Sequence, residues 1–244
     1  MSEYLLLLII YSVASLLQGV VGFGFALSSV PLVATIYDPG VAVAMNAVVG
    51  TANCGYKAWL LRRYIDWKGV LTFFAASLVF VPLGVLAISN ISKELALVIM
   101  ALFVIAVAAG NLRNRERMRS AMRTAGSFWS LSAVAGLLSG AFAAPGPATV
   151  PYFMSRDADP MVGKANLQLY FTAVALPIVI FHGLAGNMTP RALGRAALYV
   201  PVVFVLTFLG TRLSERAPEK KLRLVVDVAL ILLGAWLLVD NTVL

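Results

Sequence analysis

The stretch Gly19-Val-Val-Gly-Phe-Gly-Phe-Ala-Leu-Ser-Ser-Val-Pro31 lies inside an otherwise apolar run from Tyr4 to Tyr37. As one helix rising 1.5 Å per residue, that run would be about 50 Å long, against a hydrocarbon core of about 30 Å. It must break, and the glycines mark the place. A stretch of the same kind occurs once more, Gly136-Leu-Leu-Ser-Gly-Ala-Phe-Ala-Ala-Pro-Gly-Pro-Ala-Thr-Val-Pro151. Interrupted segments in matching places of two halves point to a transporter binding site.

Composition agrees with a bilayer setting. The chain is 61% hydrophobic and 12% charged, where a soluble globular domain has about 25% charged residues. Apolar stretches near Tyr4 to Gly19, Gly40 to Leu60, Gly69 to Ile88, Leu95 to Gly110, Phe128 to Phe142, Met161 to Phe181, Ala192 to Gly210 and Leu224 to Val239 are each near spanning length. They are continuous rather than alternating, which fits helices and not a β-barrel. Met1-Ser-Glu-Tyr4 leads straight into apolar residues without a basic n-region, so the first segment is read as retained. Cys54 stands alone, which excludes an intramolecular disulfide and a cysteine metal cluster. The net charge of +8 comes from Lys and Arg clustered in short loops. That pattern orients membrane spans, so nucleic acid is not expected as a partner.

Shifting the chain by 120 residues places Val30-Pro31 on Val150-Pro151 and Asn46 on Asn166, and Gly84 falls on Gly210 after a short insertion. The expected division is a first membrane repeat over 1–110, a basic cytoplasmic linker over 111–127 and a second repeat over 128–244. Basic residues decide how the copies are related. If each interrupted segment goes in and returns to its starting side, each repeat changes sides an odd number of times and the copies are inverted. Sixteen of the nineteen Lys and Arg residues then face the cytoplasm, leaving only Lys93, Arg191 and Arg195 outside. A single crossing places only eleven inside. The expected fold is an all-α polytopic membrane protein of two inverted repeats, each a broken helical hairpin followed by three full spans. Both termini then lie on the outer side of the membrane.

A bend of small residues within the bilayer exposes amides that lipid cannot satisfy, so it must be buried in protein or face a cavity. Short helices starting near Gly24 and Gly146 would aim free N–H groups and positive dipole ends at that cavity, and such ends favour an anion. Small residues also let membrane helices pack closely, which is the competing reading of the same glycines. The candidate binding residues are Gly22, Phe23, Gly24, Ser28, Ser29 and Asn46 in the first half, and Ala144, Pro145, Gly146, Thr149, Asn166 and Gln168 in the second. Amides and hydroxyls can donate to an oxyanion without the cost of burying a full charge. Lys164 is expected to snorkel, with a gate cation as the alternative. Asp227 is expected to pair with Arg223 one turn away. His182 is expected in a surface or capping role beside the turn 183–187. No Walker loop, zinc-type pair or nucleophile elbow is present in the sequence, so neither an enzyme nor a cofactor is expected.

Gly19-x-x-Gly-Phe-Gly-x6-Pro31-Leu32 and Gly136-x-x-Ser-Gly140-x10-Pro151-Tyr152 resemble the paired signature of the TauE/SafE sulfite exporter family of bacterial permeases. The family's glycine-rich run after the second Ser-Gly is Ala143-Ala144-Pro145-Gly146 here, and the first copy lacks a triple glycine. The resemblance implies export of sulfite, sulfoacetate or related organosulfonates and carboxylates. Two other readings are a permease for a different small metabolite and a membrane assembly protein with no substrate. Oligomeric state is left open.

Overall fold

The computed structural model describes residues 3–113, 125–156, 159–214 and 219–242, and among these there are helices and no strands. The first half comprises α1 (Glu3–Val21), α2 (Phe25–Ile36), α3 (Pro39–Leu60), α4 (Trp67–Leu78), α5 (Val81–Ser89) and α6 (Lys93–Arg113). The second comprises α7 (Ala125–Phe142), α8 (Gly146–Arg156), α9 (Pro160–Leu184), α10 (Pro190–Ser214) and α11 (Glu219–Thr242). Starts follow local chemistry. Proline opens α3, α9 and α10, where its missing N–H costs nothing. Asp66 Oδ1 accepts from Gly69 N at 3.0 Å and Asp159 Oδ1 from Met161 N at 2.8 Å, capping α4 and α9.

Four of the described helices are long and apolar enough to cross a membrane, or five if α4 and α5 count as one bent span. The expectation of an unbroken span from Gly69 to Ile88 is corrected here. That segment splits at 79–80 and bends by 41°, just where Pro82 removes a donor to the carbonyl one turn back. Large apolar side chains such as Leu198, Val225 and Leu232, each more than 60% exposed, point away from the protein, as a lipid-facing surface requires.

Both interrupted segments fold back on themselves. Tyr37, at the end of α2, donates its hydroxyl to Glu3 at the start of α1, and Arg195 Nη1 of α10 donates to the same carboxylate at 2.6 Å. In the second half the rings of Phe128 and Tyr152, early in α7 and late in α8, lie 6.2 Å apart. The bends themselves are short. Gly22 and Gly24 adopt φ of 87° and 102°, and Ala143 takes φ 50° in the second bend; such left-handed backbone is the reason glycine is favoured in the first.

α3 and α9, one from each half, form the centre and run antiparallel. The start of α3 at Gly40 abuts Asn187 just beyond α9, while Asn166 Oδ1 near the start of α9 accepts from Asp66 N just beyond α3 at 2.8 Å. The remaining packing is reciprocal between halves. α1 packs on α10 with Gly19 facing Gly210, and α7 packs on α5 with Gly140 facing Gly84. α6 and α11 pair beside the bends, closing a second apolar cluster that contains Phe23, Leu27, Ala144 and Leu230.

Two expectations change in the folded chain. His182 is fully buried rather than at the surface. Its Nε2 lies 2.9 Å from Gly140 O and its Nδ1 lies 3.1 Å from Asn187 Nδ2, because the α9 end packs on α7 instead of fraying into solvent. Asp227 is buried and accepts from Asn111 Nδ2 of α6 at 3.0 Å, a contact between helices that local spacing does not suggest; the Arg223 side chain lies outside the described residues. The linker expected over 111–127 begins and ends in helix, at Arg113 and Ala125, and 114–124 lies outside the described residues.

Candidate functional site

The two bends meet in the middle of the molecule. A Cβ on Gly146 would lie 3.7 Å from Phe23 Cδ2, so the first bend sits directly on the second. Between them is a cavity of about 60 Å3, lined by Phe23, Gly24, Ala144, Pro145 and Gly146, by Asn46 and Gly50 of α3, and by the α9 face from Phe171 to Ile178. At roughly 10–15 Å3 of such space per water molecule, it accommodates a guest of four or five heavy atoms.

Its polar character is that of a donor. α2 begins at Phe25 and α8 at Gly146, so the first turns of both helices border the cavity. Phe25 N is engaged by Gln18 Oε1 at 3.1 Å, and Ser28 N bonds Gly24 O. The N–H groups of Ala26 and Leu27, between them, have no carbonyl one turn back within the helix. In α8 the amides of Ala148 and Thr149 both bond Pro145 O, and Pro147 has none. Asn46 completes the set. It is 1% exposed, its Oδ1 accepts from Ser29 Oγ at 2.8 Å, and its Nδ2 has no partner among the described residues. That contact holds one end of the amide, and the other end is left without a protein partner among the described residues. Among the described residues no ionised side chain lines this cavity.

A second cavity, of about 180 Å3, shares Phe23 with the first. Gly22, Lys57, Lys164, Gln168 and Thr211 are among the residues around it. The first bend is held from both halves here. Gln168 Nε2 donates to Gly22 O at 2.8 Å, and Lys57 Nζ donates to Gln18 O and Gly19 O at 2.9 and 3.2 Å, satisfying the last carbonyls of α1.

The candidate residues thus divide into three groups. Phe23, Gly24, Asn46, Ala144, Pro145 and Gly146 come together on the small cavity; Gly22 and Gln168 border the larger one. Ser28, Ser29, Thr149 and Asn166 line neither. Ser28 Oγ bonds Gly24 O and Phe25 O at 3.0 Å, and Ser29 Oγ bonds Phe25 O at 2.6 Å, while Thr149 Oγ1 bonds Pro145 O at 3.0 Å. Hydroxyls one turn into a helix turn back to its own carbonyls. Asn46 and Asn166, equivalent in sequence, sit far apart in role: the latter anchors the α3–α4 connection. Gln18 and Lys57 were missed. Their signal was present, as lone polar residues in apolar runs.

A family model described as "Sulfite exporter TauE/SafE" matches residues 7–237, nearly the whole chain and both interrupted hairpins. The chain belongs to the TauE/SafE family. Membership makes it a multi-pass membrane permease and agrees with the apolar helices and their lipid-facing side chains. A "Probable sulfite/organosulfonate exporter TauE" of Cupriavidus necator is 27% identical over 225 residues, covering 91% of this chain and 88% of that protein. No solved structure matches significantly.

Proposed function

We propose that this TauE/SafE protein is a secondary transporter that exports small sulfur oxyanions or organosulfonates, such as sulfite and sulfoacetate, across the bacterial inner membrane. Sulfite, with four heavy atoms, fits the small cavity between the bends, held by Asn46 Nδ2 and by the amide end of α2; sulfoacetate, with eight, needs the cavity to widen. The observation that carries this reading is the Asn46 side chain: a buried amide, in contact with Ser29 at one end and with its Nδ2 unpartnered among the described residues, on a cavity whose described lining has no fixed charge. Helix N-termini favour anions, and neutral donors release them more readily than a buried cation does.

Alternating access follows from two inverted halves rocking about this site. Supporting it are the two fold-back hairpins, the antiparallel course of α3 and α9, and the reciprocal glycine contacts Gly19 to Gly210 and Gly140 to Gly84. With the basic loops inside, both chain ends lie outside. An inside-negative potential of 100 mV then drives a monovalent anion outward by about 2.3 kcal/mol.

The test is flux in proteoliposomes. Asn46→Ala is expected to lower sulfite flux about tenfold, the effect of losing one hydrogen bond to a charged group, with the melting temperature little changed. Unaltered flux sinks the site; uptake driven by an inward proton gradient sinks the direction. A thermal-shift panel of sulfite, thiosulfate, sulfoacetate, taurine and simple carboxylates ranks substrates, because a ligand that binds the native state raises its apparent stability.

A further inference from the structure

Two lysines, and no carboxylate among the described residues, line the larger cavity. Lys57 is 7% exposed, unusual for a lysine, and its Nζ bonds to main-chain carbonyls alone. Lys164, itself exposed, borders the same space from α9 at its solvent-facing side, and among the described residues neither lysine has an ion-pair partner. An ionisable side chain kept within a membrane protein without a counter-charge marks a functional position, because its burial opposes folding. Two like charges in one cavity raise that cost further, and a bound anion relieves it. Gln168 adds a second, independent sign. It is 4% exposed, spends its Nε2 on Gly22 O, and leaves its Oε1 without a partner in the lining of this space.

The geometry points to a second anion site in series with the Asn46 cavity, formed by Lys57 and Lys164, with Phe23 between the two. Its ligand class is an oxyanion or sulfonate; the unpartnered Gln168 Oε1 accepts a proton-bearing group, so a singly protonated oxyanion makes one more hydrogen bond here than the fully ionised form. The mobile charge is captured by the lysines on the face where the basic loops cluster. It moves on when the Gly22 bend, latched by Gln168, shifts Phe23. A pair of sites suits transport: the charged one concentrates substrate, and the neutral one passes it without trapping it.

This deepens the proposed function and rests on its anion-carrying reading. The experiment pairs titration calorimetry of the purified protein against sulfite with flux from the lysine-bearing side in proteoliposomes. Wild type is expected to bind two anions per chain. Lys164→Gln loses one, and raises the KM for flux about tenfold with kcat within twofold, an effect of about 1.4 kcal/mol on capture; Lys164→Arg restores both. Asn46→Ala keeps the lysine site and loses the other. One bound anion in wild type, or an unchanged KM in Lys164→Gln, overturns the second site while leaving transport through the Asn46 cavity in place. No sulfite binding and no flux in wild type overturns the carrying reading itself. Lys57 is left intact throughout, because removing it also exposes the α1 carbonyls.

Discussion

Gly146→Leu is expected to abolish anion flux in a protein that still folds. Gly146 opens α8, its φ is not in the left-handed region, and a Cβ there would meet Phe23 at an ordinary 3.7 Å. Backbone and first carbon are therefore tolerated. The rest of the leucine enters a cavity of about 60 Å3 and fills the place of the substrate. Flux should fall by roughly a hundredfold, near 2.7 kcal/mol, while the added bulk costs about 1–3 kcal/mol of stability. Gly24→Leu loses flux too, but for a mixed reason: φ of 102° costs a side chain about 1–3 kcal/mol whatever the space. Normal transport in folded Gly146→Leu protein would refute the site and favour an assembly role.

Gly140→Ala acts on the scaffold. Its Cβ would lie 2.1 Å from Val81 O and 2.8 Å from Val85 N. Both are helix backbone and cannot swing aside, so α7 must leave α5. A loss of about 3 kcal/mol or more is expected, since overpacking against rigid atoms lies at the upper end of mutational effects. Gly19→Ala meets Thr207 O at 2.6 Å and should behave similarly, if less severely. The control is Gly194→Ala in α10, where nothing lies within 4 Å and helix propensity gains up to about 1 kcal/mol. Thermal melting in detergent separates them. If Gly140→Ala melts with wild type, the close approach of α7 to α5 is wrong.

The two substitutions also show how much could be read in advance. Both glycine-rich stretches were legible as breaks, yet their glycines divide between two duties. Gly22 and Gly24 bend the chain through positive φ, whereas Gly19, Gly136 and Gly140 lie inside helices and admit a neighbour's backbone. Sequence marks a small residue equally in either case. The hydroxyls of Ser28 and Thr149 looked like ligands because they sit beside the bends; rotamers that return them to Gly24 O and Pro145 O are decided within the helix turn. The repeat equates Asn46 with Asn166, but only the first borders the small cavity. The α4–α5 bend was legible in Pro82, whereas the burial of His182 depends on α7 packing against the end of α9.

Sequence alone determined that the chain belongs in a bilayer and that its longest apolar run must break, because hydrophobic length against membrane thickness and the backbone freedom of glycine are local properties. It also carried the family signature. Only the tertiary structure decided which buried polar atoms are left without a partner among the described residues. Ser29 lies against one end of the Asn46 amide and Nδ2 is left without a partner, while Gln168 gives its donor to Gly22 O and leaves Oε1 unpartnered on the larger cavity. A buried polar group is defined by its partners, and these come from helices distant in the chain.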